Sequence, residues 1–244
     1  STVLNYAKKY HLPFYIVHLS SKMGLDTVKK YRKEMIVIAE TTNHYLTLDK
    51  LNLNKINGYR YIMSPPLRSK EDNNYLIKEL KKDFFDVVAS DHCSYMDSQK
   101  NKKLDIREIP SGIPGSQELP LILSGILNNG DQDLKKISNL LSYNPAKIFG
   151  LFPKKGIIEV GSDADFVILK KQKTKFKEKD ILSKSKISLY KNKDVEIIPL
   201  FTILRGNIIC DNGHLNLVKG LGEFVKCKKS STFNLKNLQE SYSH

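Results

Sequence analysis

The feature that most constrains this chain is a set of mainly apolar runs, each stopping abruptly at polar residues. Phe14-Tyr15-Ile16-Val17 stops at His18. Met35-Ile36-Val37-Ile38-Ala39 stops at Glu40, and Phe84-Phe85-Asp86-Val87-Val88-Ala89-Ser90 stops at Asp91-His92. Between them the spacing is helical: Leu25, Val28 and Tyr31 fall on one face of 24–32, and helical spacing returns over 71–82. Apolar strands alternating with such helices read as βα units around a parallel sheet covered on both faces. In parallel α/β barrels, chemistry sits at the carboxyl ends of the strands.

Two of these strand ends carry metal-type donors, His18 and Asp91. An imidazole and a carboxylate are ligands that divalent ions accept. Taken singly, each residue also fits a hydrogen-bonded strand end or a helix cap.

The rest of the chain reads as follows. A helix spans 1–10, and Pro13 turns it into the strand 14–18. Tyr59-Arg60-Tyr61-Ile62-Met63 runs into Ser64-Pro65-Pro66-Leu67-Arg68. Residues 92–117 form a long loop whose centre is Ile109-Pro110-Ser111-Gly112-Ile113-Pro114-Gly115; loops of that length are usually functional or disordered, and the apolar, turn-defined centre favours the first. Helices are expected at about 117–128 and 131–150, the second capped by Gly150. Beyond it, 156–169 reads as two short strands across a turn. Further strands are expected at 195–204 and 207–210, with turns at Arg205-Gly206 and Asp211-Asn212-Gly213. The lysine-rich stretch 170–194 reads as an exposed loop.

Composition narrows the function. The 244 residues carry a formal charge of +14 and are 40% hydrophobic, so a real core is expected. Lysines are spread along the whole chain, not gathered on one element among aromatics, which argues against a nucleic-acid surface. No apolar run approaches the roughly 18 residues of a membrane span. Cys93, Cys210 and Cys227 lack paired spacing, so a reducing, cytoplasmic setting is expected. Ser1 opens directly on a helix-like segment, which reads like the interior of a longer protein.

Seven motifs occur in order: His18-Leu19-Ser20-Ser21; Glu40-Thr41-Thr42-Asn43-His44-Tyr45-Leu46; Met63-Ser64-Pro65-Pro66-Leu67-Arg68; Ser90-Asp91-His92-Cys93; Ile109 to Gly115; Asn144-Pro145-Ala146-Lys147-Ile148-Phe149-Gly150-Leu151; and Gly161-Ser162-Asp163-Ala164-Asp165. Together they resemble the dihydropyrimidinase and hydantoinase branch of the cyclic amidohydrolases, over about residues 1–226, as the carboxyl-terminal half of such an enzyme. The resemblance implies an α/β fold: the last strands of a (β/α)8 TIM-like barrel over 1–150, then a small β-sandwich portion over 151–226 and a polar tail over 227–244. It implies hydrolytic opening of a cyclic amide, a dihydropyrimidine or hydantoin, by a water bridging two Zn2+ ions, with a carboxylated lysine among the metal ligands. It further implies a homo-oligomer, a tetramer in relatives.

His18 matches the sixth-strand metal ligand, and Asp91 the eighth-strand ligand that also handles the proton. The remaining four ligands, a His-x-His pair, the carboxylated lysine and a fifth-strand His, have no match. The histidines are 11, 18, 44, 92, 214 and 244, and no two have His-x-His spacing. Ser64 and Ser111 match positions that hold the substrate's amide edge; Ser111 stands where relatives usually have Asn. His44 and His92 match no ligand. Thr42-Asn43 and Ser94-Tyr95 replace Cys-Pro and Pro-Phe, which marks a divergent member. Allantoinase and dihydroorotase are the neighbouring activities, and a non-catalytic scaffold is the alternative outside enzymes. With so few ligands the chain by itself is expected to be inactive, to leave apolar barrel edges exposed, and to associate.

Overall fold

The computed structural model describes residues 1–101 and 103–228. They fall into two compact units. The first takes 1–119 and 177–192, and the second 120–176 and 193–228.

The first unit is built on a parallel sheet of three strands, β1 (Phe14–Ile16), β2 (Val37–Thr42) and β3 (Val87–Ala89), in the order β1-β2-β3. Phe14 pairs with Val37, and Glu40 with Val87. Helix α1 (Thr2–Lys9) precedes β1, α2 (Lys22–Arg32) links β1 to β2, and α3 (Asn43–Thr47) and α4 (Lys70–Lys81) lie between β2 and β3. The expected alternation of strand and helix is therefore present.

Local chemistry explains the boundaries. Ser21 caps α2 by accepting from the Gly24 amide at 3.2 Å. Ser69 and Asp72 form a reciprocal capping box at the start of α4, the arrangement that satisfies two orphan amides at once. Both helices turn one apolar stripe inward: Leu25, Val28 and Tyr31 from α2 and Leu76 and Leu80 from α4 are buried, as are Val37, Ala39, Val87 and Val88 of the sheet. Each fully buried leucine contributes about 1.5–3 kcal/mol. Arg32 closes the bottom of the sheet. It donates to Val37 O at 2.8 Å and Phe84 O at 2.6 Å and pairs with Asp86, whose Oδ2 also accepts the Ala39 amide at 2.7 Å.

The second unit carries α5 (Leu119–Leu127), α6 (Asp131–Ser138), a π turn at Asn139–Tyr143, α7 (Asn144–Ile148), and an antiparallel sheet. The sheet runs β4 (Phe166–Lys175), β5 (Asp194–Leu204), β6 (Asn207–Asp211) and β7 (His214–Leu215), in that order. Gly125 lets α5 meet β5: a Cβ there would sit 1.9 Å from the Asp194 carbonyl.

Two sequence expectations are corrected here. Residues 156–165 hold no strand. Gly156 and Gly161 have φ of 89° and 96°, and Lys155 pairs with both Asp163 and Asp165. Asp165 in turn accepts the Arg205 amide at 2.7 Å, so the segment is a clamped loop. Nor is 170–194 an exposed loop. Lys170 to Lys175 extend β4, pairing with Ile198 to Asp194, and Phe176, Ile181, Leu189 and Tyr190 are buried. Its lysines, the adjacent Lys170 and Lys171 among them, are exposed, so no apolar alternation marks the strand. The two units do not coincide with divisions at 150 and 226, which we propose as the limits of the barrel and sandwich portions. Of the expected tail, 229–244 lies outside the described residues.

Candidate active site

The carboxyl ends of β1 and β3 carry His18 and Asp91, each two residues past its strand. Both adopt left-handed backbone, with φ of 40° and 43°, a conformation that β-carbon-bearing residues adopt rarely and that clusters at functional sites. Glu40 on β2 holds the first of them. Its Oε1 accepts the His18 amide at 3.1 Å, and its Oε2 accepts the Tyr15 hydroxyl at 2.6 Å. The next residue is held as firmly: Leu19 N donates to Glu40 O at 2.7 Å, and Thr41 Oγ1 donates to Leu19 O at 2.9 Å.

Helix α3 is the hub of the site. Asn43 Nδ2 donates to the Gly115 carbonyl at 3.1 Å. His44 is fully buried and lies within electrostatic reach of His18; burial first, and then that neighbour, push its pKa down to about 3. Tyr45 donates its hydroxyl to Pro65 O at 2.6 Å. Its own pKa is raised by burial and by Asp91, against a smaller opposite pull from Arg68. Asn43 and Tyr45 thus tie this helix to the Gly115 loop and to the Ser64-Pro65 segment, while the His44 ring between them feels His18 only through its charge.

The two serines expected to meet substrate are both exposed. Their segments are joined by backbone: Gly112 N, next to Ser111, donates to Ile62 O at 3.1 Å, two residues before Ser64. Gly112 also packs on Cys93, whose amide donates to Ile113 O at 3.0 Å. A Cβ at Gly112 would come within 2.7 Å of the Cys93 carbonyl, so only glycine fits. Arg68 donates to Ser20 Oγ at 3.1 Å.

His92 turns away from a ligand's role. Its Nδ1 accepts from the Gly115 and Ser116 amides, both at 3.2 Å, which leaves the proton of a neutral ring on Nε2. It supports the Ser111 loop from behind. Glu118 lies nearby, its carboxyl pushed upward by burial against an opposing bond from Ser188.

Sequence reasoning assigned no role to Glu40, Asn43 or Tyr45. All three stand inside a quoted motif, but their roles depend on partners 20 to 72 residues away.

A neutral imidazole and a carboxylate fit a divalent ion as two of its ligands. They do not make a whole shell: among the described residues no group of three or more His, Cys, Asp or Glu side chains is gathered to hold a metal. Among those residues, too, no helix is long and apolar enough to cross a membrane.

Comparisons with known proteins bear on the family and the fold. The family model described as the amidohydrolase family matches residues 6–209. D-hydantoinase of Ralstonia pickettii is 34% identical over 229 residues, covering 91% of this chain and 50% of that protein. Among solved structures, the D-hydantoinase (dihydropyrimidinase) from Thermus sp. is similar with a TM-score of 0.85 and 29% identity, over 91% of this chain and 50% of that one. The L-hydantoinase (dihydropyrimidinase) from Arthrobacter aurescens gives 0.81 and 28%, with the same coverage. The chain therefore spans about half the length of the relatives it matches. Its three parallel strands and antiparallel sheet are part of an amidohydrolase barrel and of the sheet that follows it. Strand-end donors, interlocked loops and matched relatives converge on one assignment: the chain belongs to the amidohydrolase family, in its hydantoinase and dihydropyrimidinase branch.

Proposed function

We propose that this chain contributes the sixth- and eighth-strand side of a metal-dependent centre that hydrolyses the C–N bond of a cyclic amide, a dihydropyrimidine or a hydantoin. One observation carries the reading: His18 and Asp91 follow parallel strands of one sheet, share a left-handed backbone, and act electrostatically on adjacent residues of one short helix.

His18 and Asp91 would hold divalent metal, which supplies activation of water and polarisation of the ring carbonyl. The Asp91 carboxylate then takes a proton from the attacking water and delivers it to the ring nitrogen as the C–N bond breaks. Water is divided across the broken bond of a single ring-opened product, hydroxyl to carbon and hydrogen to nitrogen. Ser64 and Ser111, through the segments that carry them, orient the ring's amide edge. The three cysteines are free, which supports a cytoplasmic setting, and assembly into a homo-oligomer belongs to the same proposal.

The test is turnover of dihydrouracil and hydantoin by the protein together with the segment that brings the remaining ligands. Measurable hydrolysis, metal near two ions per site, and a loss of about a hundredfold to ten-thousandfold for Asp91→Asn are expected. The 244-residue chain by itself is expected to show none. A complete protein that binds no metal and opens neither ring would overturn the proposal in favour of a scaffold.

A further inference from the structure

Lys100 is a buried lysine that the proposed chemistry does not use. It belongs to the long stretch between Asp91 and Glu108, and it is the only buried residue among the described residues of that stretch. Its ammonium donates to two backbone carbonyls, Ile62 O at 2.5 Å and Gly112 O at 2.6 Å. A buried cation without partners is strongly disfavoured, and charge-assisted bonds of this length are among the stronger ones in a protein. Burial pushes the Lys100 pKa down to about 8, opposed only by a smaller pull from Cys93.

The two acceptors are not arbitrary. Ile62 lies two residues before Ser64, and Gly112 directly follows Ser111. Gly112 N already donates to Ile62 O at 3.1 Å. Lys100 adds a second donor to the same carbonyl and ties it to the carbonyl of Gly112, closing a three-residue knot. The loop is fastened again nearby, where Arg60 pairs with Asp97.

We propose that Lys100 is a positioning residue for ring recognition, fixing the spacing between the Ser64 and Ser111 segments so that both meet one cyclic amide. This rests on the proposed function in naming the ligand. The knot itself does not. Losing the ammonium frees one segment to drift from the other, and ground-state and transition-state binding weaken together. That pattern appears as a raised KM with kcat little changed.

Two measurements test it, on Lys100→Met, Lys100→Arg and Lys103→Met, an exposed control on the same loop. The first is amide hydrogen exchange on the 244-residue chain. Lys100→Met is expected to speed exchange of the Gly112 and Cys93 amides at least tenfold while α2 stays protected, with Lys103→Met unchanged and Lys100→Arg in between. The second is steady-state kinetics on the active form of the protein. There KM for dihydrouracil or hydantoin is expected to rise at least tenfold in Lys100→Met with kcat within threefold, and to recover partly in Lys100→Arg. Unchanged local exchange, or local exchange that rises while KM holds, overturns the positioning role. If the unaltered protein opens no cyclic amide, the function proposed above fails and ring positioning fails with it, while exchange still decides whether the knot exists.

Discussion

Glu40 receives the His18 amide at 3.1 Å and thereby holds a residue whose φ is 40°. A left-handed non-glycine residue stores about 1–3 kcal/mol and persists only while its surroundings fix it. Glu40→Ala removes that grip and the Tyr15 bond together. Expected is a loss of about 2–4 kcal/mol in urea unfolding, with Glu40→Gln, which keeps an acceptor for the His18 amide, losing about half as much. Equal losses for the two variants would show that the amide bond does not matter.

His44 gives the fold a pH dependence with a defined sign. In the folded chain burial and His18 hold its pKa down to about 3, from an ordinary 6.5. Between those values the unfolded ring is protonated and the folded ring is not. The unfolded state binds more protons, so stability falls as pH drops through that window, by about 1.4 kcal/mol per pH unit. Above pH 6.5 the contribution is fully present. Denaturation midpoints at pH 7, 6 and 5 for the unaltered chain and for His44→Leu check this: the variant should lose less stability on acidification. Parallel curves would refute it.

Arg32 and Asp86 form a buried ion pair at the amino end of the sheet. Removing one member of such a pair costs about 3–5 kcal/mol, because the other charge stays buried. Arg32→Leu is therefore expected to lower Tm by roughly 6–20 °C. Arg32→Leu with Asp86→Leu should cost clearly less than the sum of the single changes. Strict additivity, read by calorimetry, would mean the two charges do not stabilise one another.

Strands β1 and β3 are the outer strands of a three-stranded parallel sheet, and Leu12 and Val17 beside β1 are about half exposed. Unpaired edges with apolar flanks template further pairing. Light scattering over a concentration series should show the 244-residue chain associating, and Val17→Lys should reduce that association. A monodisperse monomer at every concentration would contradict it.

Much of this was legible in the sequence because the signals were local. The apolar runs ending at His18 and Asp91 became β1 and β3, and Leu25, Val28 and Tyr31 became the buried face of α2. The seven ordered motifs are local in sequence and point to the branch by themselves. What stayed hidden depended on distant partners. The extension of β4 through Lys170 to Lys175 is decided by pairing with β5, and its exposed lysines leave no apolar alternation to mark it. Lys100 stands in an exposed polar loop, and its acceptors are backbone carbonyls 38 and 12 residues away. No residue-type pattern announces a bond to a carbonyl. Residues 156–165 misled for the opposite reason: their β-branched residues suggested a strand, but glycine backbone and the Lys155 pairs fold them into a loop.

The arrangement around α3 has a consequence for how this protein could diverge. Asn43 and Tyr45 serve different loops with His44 between them, and neighbouring positions on a helix differ in direction by about 100°. Chemistry at any one of them can drift while its heading is kept. Adding or deleting a single residue there would redirect every heading after it, so variants of this segment should differ in identity far more readily than in length.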